Sequence, residues 1–327
     1  MQKDKQIAKS KNLRTRLTQQ NVNPLVDLKT ESSAEFFERM AFQRIKRLLE
    51  ENAHLRCDGY RDEYLKRRFE VRLRATGSTS YSKYVHYLKN HPDEYQHLLN
   101  DLTINFTMFF RDTDVYQYLE ENLLPKLLSS GRNLKIWSAG CATGEEPYSI
   151  AILVDKVLHN FSGHQSVSIL ASDIDKAALA KAEKGEYPKK GLAALSDAMT
   201  EKYFDGSGEL YTVRDFVRKF IRFEQFDLNR PSQHQDFDLI LCRNVMIYFS
   251  REGQQHVHMN FYSALREGGY FITGKAEMLS GEPCRLFQQI DMKCRVYQKA
   301  KPFNSSGNVE VAVPSCIPSF ETSVGRR

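Results

Sequence analysis

Apolar residues recur at helical spacing through the first hundred residues of the chain. From Ser33 to Leu49 they return every three or four positions, and Ser32 or Ser33 can cap the helix that this pattern predicts. Further helices are predicted over 59–75, 81–90 and 93–100. Residues 34–101 are therefore expected to form a small all-helical domain.

Strand and helix patterns alternate from Leu134 onward. Short apolar runs bounded by turn residues predict strands at 134–138, 167–172, 221–226, 237–242 and 269–274. Amphipathic segments predict helices between them at 147–158, 176–184, 199–204 and 253–265. This order predicts an α/β domain over 102–300, with a mostly parallel, doubly wound, Rossmann-like sheet and helices on both faces. The turn Asp205-Gly206-Ser207-Gly208 adds a small inserted antiparallel β subdomain at about 205–225.

Composition limits the class of protein without naming it. The 327 residues suffice for two domains, and no apolar run approaches the roughly 20 residues of a membrane span. The N-terminus is polar and basic and has no apolar secretory core, which favours a cytoplasmic protein. The six cysteines are scattered without a C-x-x-C pair, so we expect reduced thiols and no metal site. Residues 1–33 and 301–327 are expected to be disordered tails.

Positive charge is concentrated in the N-terminal third. Residues 1–100 hold 20 Lys and Arg against 13 Asp and Glu, whereas the net charge of the whole chain is only +6. Arg61, Arg68 and Arg72 share one stripe of the second predicted helix, because they lie seven and four positions apart. The helical domain is therefore expected to meet an acidic partner.

The most informative stretch is residues 135–148, KIWSAGCATGEEPY. A predicted strand enters a turn that contains Gly140 and Gly144, and a helix then begins with Glu145, Glu146 and Pro147. Doubly wound sheets form their nucleotide pocket at such a turn. The glycine spacing is not that of the dinucleotide fingerprint, and the two acids disfavour a pyrophosphate. Their charge suits the sulfonium and amino group of S-adenosylmethionine.

Polar residues also follow three other predicted strands, and the carboxyl ends of parallel strands meet at one edge of a sheet. Asp173 ends the second strand and is placed to accept ribose hydroxyls, whereas Asp175 could equally be a helix cap. The remaining pocket candidates follow the strands at 221–226 and 237–242: Asp227, Leu228, Arg243, Asn244 and Tyr248.

Four motifs in order make a resemblance specific. They are Asn105-x-Thr107-x-Phe109-Phe110-Arg111 in the linker (residues 102–111), AGCATGEEPYS at 139–149, ASDID at 171–175 and CRNVMIYF at 242–249. Over residues 34–300 the chain resembles the CheR family of chemotaxis receptor methyltransferases. Such enzymes move a methyl group from S-adenosylmethionine to glutamate side chains of methyl-accepting chemoreceptors. The chain departs at 275–277, where Lys-Ala-Glu replaces the usual His-Ser-Glu.

The resemblance implies a role for each motif. The implied cofactor residues are Asn105, Thr107, Arg111, Gly140, Glu146, Asp173, Asp227, Leu228, Arg243 and Asn244. The implied catalytic residues are Arg111 and Tyr248, which would face the acceptor carboxylate. The implied receptor-docking residues are Arg61, Arg67, Arg68, Arg72 and Arg74. The implied partner is the cytoplasmic helical domain of the receptors, which would recruit a monomeric protein that does not insert into the membrane. S-adenosylhomocysteine is the implied product, without a metal.

Two other functions stay open from the sequence. A nucleic-acid methyltransferase would use the basic N-terminal third to bind phosphates, but the chain lacks an Asp/Asn-Pro-Pro-Tyr/Phe motif and has few aromatic residues among the arginines. A signalling scaffold that binds the cofactor without catalysis is also possible, although every motif position is filled. A dehydrogenase is a weaker third reading, because the glycine spacing is wrong for a pyrophosphate.

Overall fold

The computed structural model describes residues 32–161 and 165–300. The tails predicted at 1–33 and 301–327 lie outside this part of the chain, apart from Ser32 and Ser33. Within the described residues, no helix combines the length and apolar character needed to cross a membrane.

The predicted all-helical region is confirmed as four helices: α1 Ser33–Ala53, α2 Asp62–Thr76, α3 Tyr81–Asn90 and α4 Glu94–Leu102. Ser32 caps α1, because its Oγ accepts the backbone N–H of Glu35 at 3.2 Å and its own N–H donates to the Glu35 carboxylate at 2.9 Å. One apolar core contains buried residues from all four helices: Ile45, Leu49, Leu65, Phe69, Tyr84 and Leu98.

Ten strands follow among the described residues after α4. They are β1 Leu134–Ala139, β2 Val167–Asp173, β3 Glu186–Pro188, β4 Phe204–Ser207, β5 Leu210–Val213, β6 Ile221–Gln225, β7 Phe237–Cys242, β8 Leu265–Thr273, β9 Phe287–Asp291 and β10 Val296–Lys299. The helices of this region are α5 Thr113–Tyr118, α6 Leu124–Leu128, α7 Glu145–Leu158, α8 Lys176–Lys184, α9 Asp197–Tyr203, α10 Asp215–Arg218, α11 Arg251–Ala264 and α12 Pro283–Leu286. A π-helical turn spans Leu119–Leu123, and short 3-10 turns span Lys189–Leu192 and Met246–Tyr248.

Seven strands form one sheet in the order β6-β2-β1-β7-β8-β10-β9. The first five are parallel, as the alternation of strands and helices predicts. β10 pairs antiparallel with both β8 and β9, and β9 is the edge strand on that side. Because all parallel strands end at the same edge, β1, β2 and β7 bring their carboxyl ends together there.

Each central strand sends alternate side chains into two apolar cores, one on each face of the sheet. On β1, Ile136 enters the core that includes α7, and Trp137 enters the core that includes α11. On β7, Leu239 and Leu241 share the core of Ile136, and Ile240 shares that of Trp137. Burial on both faces explains why these strands are continuous apolar runs in the sequence.

The small β subdomain differs from the predicted 205–225. Its three strands, β3-β5-β4, span residues 186–213, whereas β6 pairs in parallel with β2 and so belongs to the main sheet. β3 escapes prediction because it has only three residues and contains Pro188. β9 and β10 escape as well, since neither run has a clear alternation of apolar and polar residues.

The segment before α2 packs closely on the sheet domain. Gly59 accepts a hydrogen bond from the Ser250 N–H at 2.8 Å, and Arg61 donates from Nε to the Phe249 carbonyl at 2.9 Å. A Cβ atom added to Gly253 would overlap the Gly59 carbonyl oxygen. The approach of two backbones therefore requires glycine at position 253.

We expect Gly253→Ala to lower the free energy of unfolding by about 2–3 kcal/mol, because the new methyl group meets backbone that cannot move aside. Helix propensity alone would make the same change stabilising by about 1 kcal/mol. Gly191→Ala is the control, because its nearest neighbour, Pro188, is 3.8 Å from the added Cβ. Urea unfolding followed by circular dichroism measures both, and equal stability of the two variants would refute the interpretation.

Candidate active site

The turn after β1 needs glycine for two reasons. Gly140 and Gly144 have φ of 78° and 97°, and the intervening Ala142 has φ of 47°. A Cβ on Gly140 would lie 2.5 Å from Val245 Cγ2. The Gly140 N–H donates to the Ser172 carbonyl at 2.8 Å, so the turn is held against the end of β2. This compact turn leaves space above the strand ends.

That space is a cleft of about 920 Å³, partly open to solvent. It lies at the carboxyl ends of β1, β2 and β7, and the linker covers it from the helical side. The cleft is lined by all of the residues predicted to bind a cofactor or to catalyse: Asn105, Thr107, Arg111, Gly140, Glu146, Asp173, Asp227, Leu228, Arg243, Asn244 and Tyr248. A few polar groups among apolar residues, as here, are typical of a site for a small organic ligand.

Three carboxylates face the cleft. Asp173 accepts backbone N–H groups from Ala142 at 2.8 Å and Asp175 at 3.0 Å. Glu146 accepts the Ser138 hydroxyl at 2.8 Å. Asp227 accepts the Arg56 backbone N–H at 3.0 Å, which also ties the cleft to the helical domain. Burial raises the pKa of all three carboxyl groups, while their hydrogen bonds oppose the rise.

Arg243 connects the strand end to the linker. Its buried guanidinium donates to the Asp112 carboxylate at 2.7 Å and to the Arg111 carbonyl at 2.8 Å. It also lies 3.5 Å from the Glu146 carboxylate and stacks over the Tyr116 ring. The guanidinium is therefore committed largely to protein partners, so its expected contribution to cofactor binding would be to position Arg111 and Glu146.

Glu277 holds the loop that follows β7. Its buried carboxylate accepts the N–H groups of Gly274 at 2.7 Å, Asn244 at 2.9 Å and Ile247 at 3.3 Å. Asn244 has φ of 61°, a left-handed conformation that asparagine tolerates better than most residues. Glu277, the last residue of the Lys-Ala-Glu segment, thus binds the loop that follows β7. The sequence alone gave no role for this residue.

The linker residues Asn105 and Arg111 have different hydrogen-bond partners within the protein. Asn105 donates from Nδ2 to Asp175 at 2.7 Å, although the predicted partner of Asn105 was the cofactor. Arg111 donates from Nη1 to the Phe106 carbonyl at 3.1 Å and lies over the Phe106 ring at the mouth of the cleft. Asp175 caps α8 as the sequence allowed, since it accepts the Ala177 N–H at 2.8 Å.

A groove beside the cleft, here called the arginine groove, contains four of the five predicted docking arginines. It is lined by Arg61, Tyr64, Arg67, Arg68, Glu70, Val71, Arg74, Ile104, Ile247 and Tyr248. Ile104 and Tyr248 also line the cleft, so the two spaces adjoin. Arg61 is less available to a partner than the other three, since its Nε already donates to the Phe249 carbonyl.

Arg72, the fifth predicted docking arginine, is paired with acids of the protein itself. Its guanidinium forms two 2.8 Å hydrogen bonds with the buried Glu94 carboxylate and a 3.2 Å bond with Asp101. A bidentate pair of this kind is a structural contact between α2 and α4, and it leaves Arg72 outside the arginine groove. The sequence could not reveal this, because Glu94 lies 22 positions away.

Several cleft residues were not predicted. Tyr60 reaches the cleft from the helical domain and packs against Phe249, with ring centroids 4.4 Å apart. Tyr116 also lines the cleft, and further unpredicted residues are direct sequence neighbours of predicted ones: Ile174, Phe226 and Val245. Their positions beside Asp173, Asp227 and Asn244 were a usable signal, whereas nothing in the sequence connects Tyr60 with the sheet.

The donor set fits S-adenosylmethionine. Buried carboxylates favour a cationic ligand, and the Asn244 Oδ1 atom is buried without a hydrogen-bond partner among the described residues, so it can accept from a ligand N–H. A parallel sheet, a glycine turn and an acidic cleft at the strand ends define a Rossmann-like S-adenosylmethionine-dependent methyltransferase. Among the described residues, no cluster of His, Cys, Asp or Glu is suited to a metal ion.

Comparison with known proteins identifies the family. The model of the CheR methyltransferase S-adenosylmethionine-binding domain matches residues 105–296, and that of the CheR all-alpha domain matches residues 40–103. The chain belongs to the CheR methyltransferase family, as the four motifs indicated.

Curated relatives agree with this assignment. A chemotaxis protein methyltransferase of Listeria monocytogenes is 34% identical over 221 residues, which cover 67% of this chain and 83% of the relative. One of Klebsiella aerogenes is 34% identical over 247 residues, 73% of this chain and 83% of the relative. Among solved structures, the N-methyltransferase NodS of Bradyrhizobium japonicum is 14% identical with a TM-score of 0.33, covering 58% of this chain and 99% of that one. The last likeness is too weak to support a functional statement.

We expect ligand affinity to rise with pH from about pH 4.5 towards neutrality. Because burial raises the pKa of Glu146, part of its carboxyl group is protonated in the ligand-free protein at this acidic pH. A ligand ammonium group favours the ionised carboxylate. Binding therefore releases protons, and affinity increases as pH rises through the raised pKa. Titration calorimetry with S-adenosylhomocysteine, in buffers of different ionisation enthalpy, counts these protons.

Glu146→Gln is the matched variant for this measurement. It removes the titrating group with little change of volume, so binding should be weaker and should release fewer protons. Proton uptake by the unsubstituted protein, or an affinity independent of pH, would contradict the assignment of a cationic group to this part of the cleft.

Proposed function

We propose that this protein transfers the methyl group of S-adenosylmethionine to glutamate side chains of methyl-accepting chemotaxis receptors, which yields glutamate methyl esters. The observation that carries the proposal is the boundary shared by the cleft and the arginine groove, at Ile104 and Tyr248. An acidic helix bound in the groove would bring its carboxylates beside the methyl donor. The names of the relatives support chemotaxis as the process.

Cofactor binding in this proposal uses the acids of the cleft. Glu146 would pair with the amino group, Asp173 would accept the ribose hydroxyls, and Asp227 and Leu228 would border the adenine. S-adenosylmethionine, when bound, supplies an electrophilic methyl group attached to a sulfonium, and loss of that methyl group leaves a neutral thioether. Asn105, Thr107 and Asn244 would complete the cleft around it, while Gly140 gives the close approach of backbone.

The reaction needs little acid–base chemistry from the protein. A glutamate carboxylate is already ionised at neutral pH, so no general base is required. One carboxylate oxygen forms the new bond to the methyl carbon as the carbon–sulfur bond breaks, and the bonding electrons stay on sulfur. Alignment of the two reactants can lower the barrier by about 7–11 kcal/mol when fully realised.

Arg111 and Tyr248 would orient the acceptor carboxylate. Arg111 lies at the cleft mouth with its guanidinium against an exposed aromatic ring, where it can bind a carboxylate from outside. Burial raises the pKa of Tyr248, despite the opposing effect of Arg68 and Arg111, so its hydroxyl stays protonated and can donate. Two donors on one carboxylate would restrict its rotation without consuming the attacking oxygen.

Receptor docking would use Arg67, Arg68 and Arg74, with a smaller contribution from Arg61. These side chains follow one face of α2 and line the arginine groove, which suits the acidic helices of a receptor's cytoplasmic domain. We further propose that the protein is a cytoplasmic monomer recruited to membrane receptors by this contact.

Methyl transfer from labelled S-adenosylmethionine to purified receptor cytoplasmic fragments tests the function. We expect label on the receptor that is released by mild alkali, because a carboxyl methyl ester is hydrolysed where an N-methyl group is not. Label on added RNA or DNA would favour the nucleic-acid alternative. Cofactor binding without transfer to the receptor would favour the non-catalytic scaffold.

Arg111→Ala is expected to reduce turnover about 100-fold or more while changing the affinity for S-adenosylhomocysteine only a few-fold, because the guanidinium acts mainly on the acceptor. Arg132→Ala is the control, since this exposed arginine precedes β1 at the other end of the sheet. Steady-state kinetics and calorimetry give the two numbers. Equal losses of turnover and affinity would make Arg111 a cofactor ligand instead.

Charge reversal in the arginine groove tests docking. Arg67→Glu with Arg74→Glu should raise the KM for receptor about 10-fold or more and leave S-adenosylhomocysteine affinity within about 2-fold. Arg132→Glu with Lys219→Glu changes net charge equally at exposed positions away from the groove. If this control raises the KM as much, the effect is general electrostatics and the docking surface is misassigned.

A further inference from the structure

We propose that Asp175 is a positioning residue for the cofactor, because it orients the Asn105 amide and holds the linker over the cleft. The inference rests on the proposal that S-adenosylmethionine occupies the cleft. Asp175 ends the ASDID motif and does not line the cleft, so it would act through another residue.

The two carboxylate oxygens of Asp175 have separate partners. Oδ1 accepts the N–H groups of Ala177 at 2.8 Å and Ala178 at 3.2 Å, which caps α8. Oδ2 accepts the Thr103 hydroxyl at 2.9 Å and the Asn105 amide at 2.7 Å. The residue is only 1% exposed. A helix cap requires one of these oxygens, so the cap does not explain the second pair of contacts.

Between Thr103 and Phe109, whose buried ring packs against Tyr187 and Phe204, the linker has few other attachments. Within the described chain, residues 104–109 make no backbone–backbone hydrogen bonds, and the Phe106 side chain is 67% exposed. At the far end, the Phe110 N–H donates to the Ser149 hydroxyl at 3.0 Å, and Arg243 holds the Arg111 carbonyl. At the near end, Thr103 is also bonded to the Leu99 carbonyl, through its N–H at 2.9 Å and its hydroxyl at 3.0 Å, whereas the Asn105 amide is held by Asp175. Loss of that contact would free the linker where it begins to cover the cleft.

The chemistry of the contact fixes the direction of the amide. A carboxylate oxygen can only accept, so the Asn105 atom that faces it must be the NH₂ nitrogen. The Asn105 carbonyl oxygen is then left as the acceptor for a donor in the cleft. Asp175 would therefore decide both where the linker lies and which polar atom it offers to the cofactor.

Asp175→Asn separates this role from helix capping. Asparagine caps helices about as well as aspartate, so its carbonyl oxygen can keep the bonds to Ala177 and Ala178. The new NH₂ group would then face the Asn105 NH₂ group, donor against donor. We expect S-adenosylhomocysteine to bind about 10-fold or more weakly, with faster dissociation, while the melting temperature falls less than it does for Asp175→Ala, which loses the cap as well.

A double variant in which residues 105 and 175 are exchanged, here called the exchanged pair, gives the decisive measurement. Asp175→Asn combined with Asn105→Asp restores one donor and one acceptor in reversed positions, so affinity should recover to within about 3-fold of the unsubstituted protein. Asp175→Ala loses both cap and linker contact and should lower both the affinity and the melting temperature. Calorimetry gives affinities, stopped-flow fluorescence gives dissociation rates, and thermal unfolding reports the cap.

The outcomes distinguish this inference from the proposed function. If the unsubstituted protein does not bind S-adenosylhomocysteine, the proposed function fails. If it binds but Asp175→Asn binds equally well, the positioning role is overturned. The same conclusion follows if the exchanged pair melts like the unsubstituted protein and still recovers no affinity, because the contact between positions 105 and 175 then does not determine cofactor binding.

Discussion

Buried carboxylates that accept hydrogen bonds from backbone N–H groups hold three of the segments around the cleft. Asp173 binds the glycine turn at Ala142, Glu277 binds the β7 loop at Asn244, and Asp227 binds the helical domain at Arg56. Ala142 and Asn244 have positive φ, so these turns are not conformations that the residues adopt without support. A bond to an ionised acceptor contributes about 1.5–3 kcal/mol, which is enough to offset such strain.

The same buried carboxylates also give the cleft a negative charge. Asp173 and Asp227 are bonded to neutral N–H groups and Glu146 to the neutral Ser138 hydroxyl, so all three keep a negative charge, and burial raises their pKa values because that charge is poorly solvated. Arg243 compensates only in part, since it also serves Asp112. A cationic ligand would relieve this imbalance, whereas a pyrophosphate would increase it. The device that shapes the turns therefore also selects the class of cofactor.

Sequence reasoning was strongest where one residue type meets one local requirement. The glycine turn, the strands with both faces buried and the polar residues at strand ends were all predictable, because their causes lie within a few positions. The partner of Asn105 was not, since Asp175 is 70 residues away, and neither was the pairing of Arg72 with Glu94, which is on another helix. The β3, β9 and β10 strands were missed because short, partly exposed strands depend on pairing rather than on their own pattern.

The link between the helical domain and the cleft bears on how a large acceptor could be aligned. The N–H of Arg61 donates to the Tyr248 carbonyl at 3.1 Å, so the residue that begins the arginine groove is bonded to the backbone of a cleft residue. The rings of Tyr64 and Tyr248 lie 4.9 Å apart, which adds packing to that bond. On the proposed function, a receptor helix bound along α2 would be held at a set distance from the methyl donor by these contacts. Recognition and alignment would then depend on one rigid connection, and the acceptor side chain would need only its own rotamers to reach the cleft.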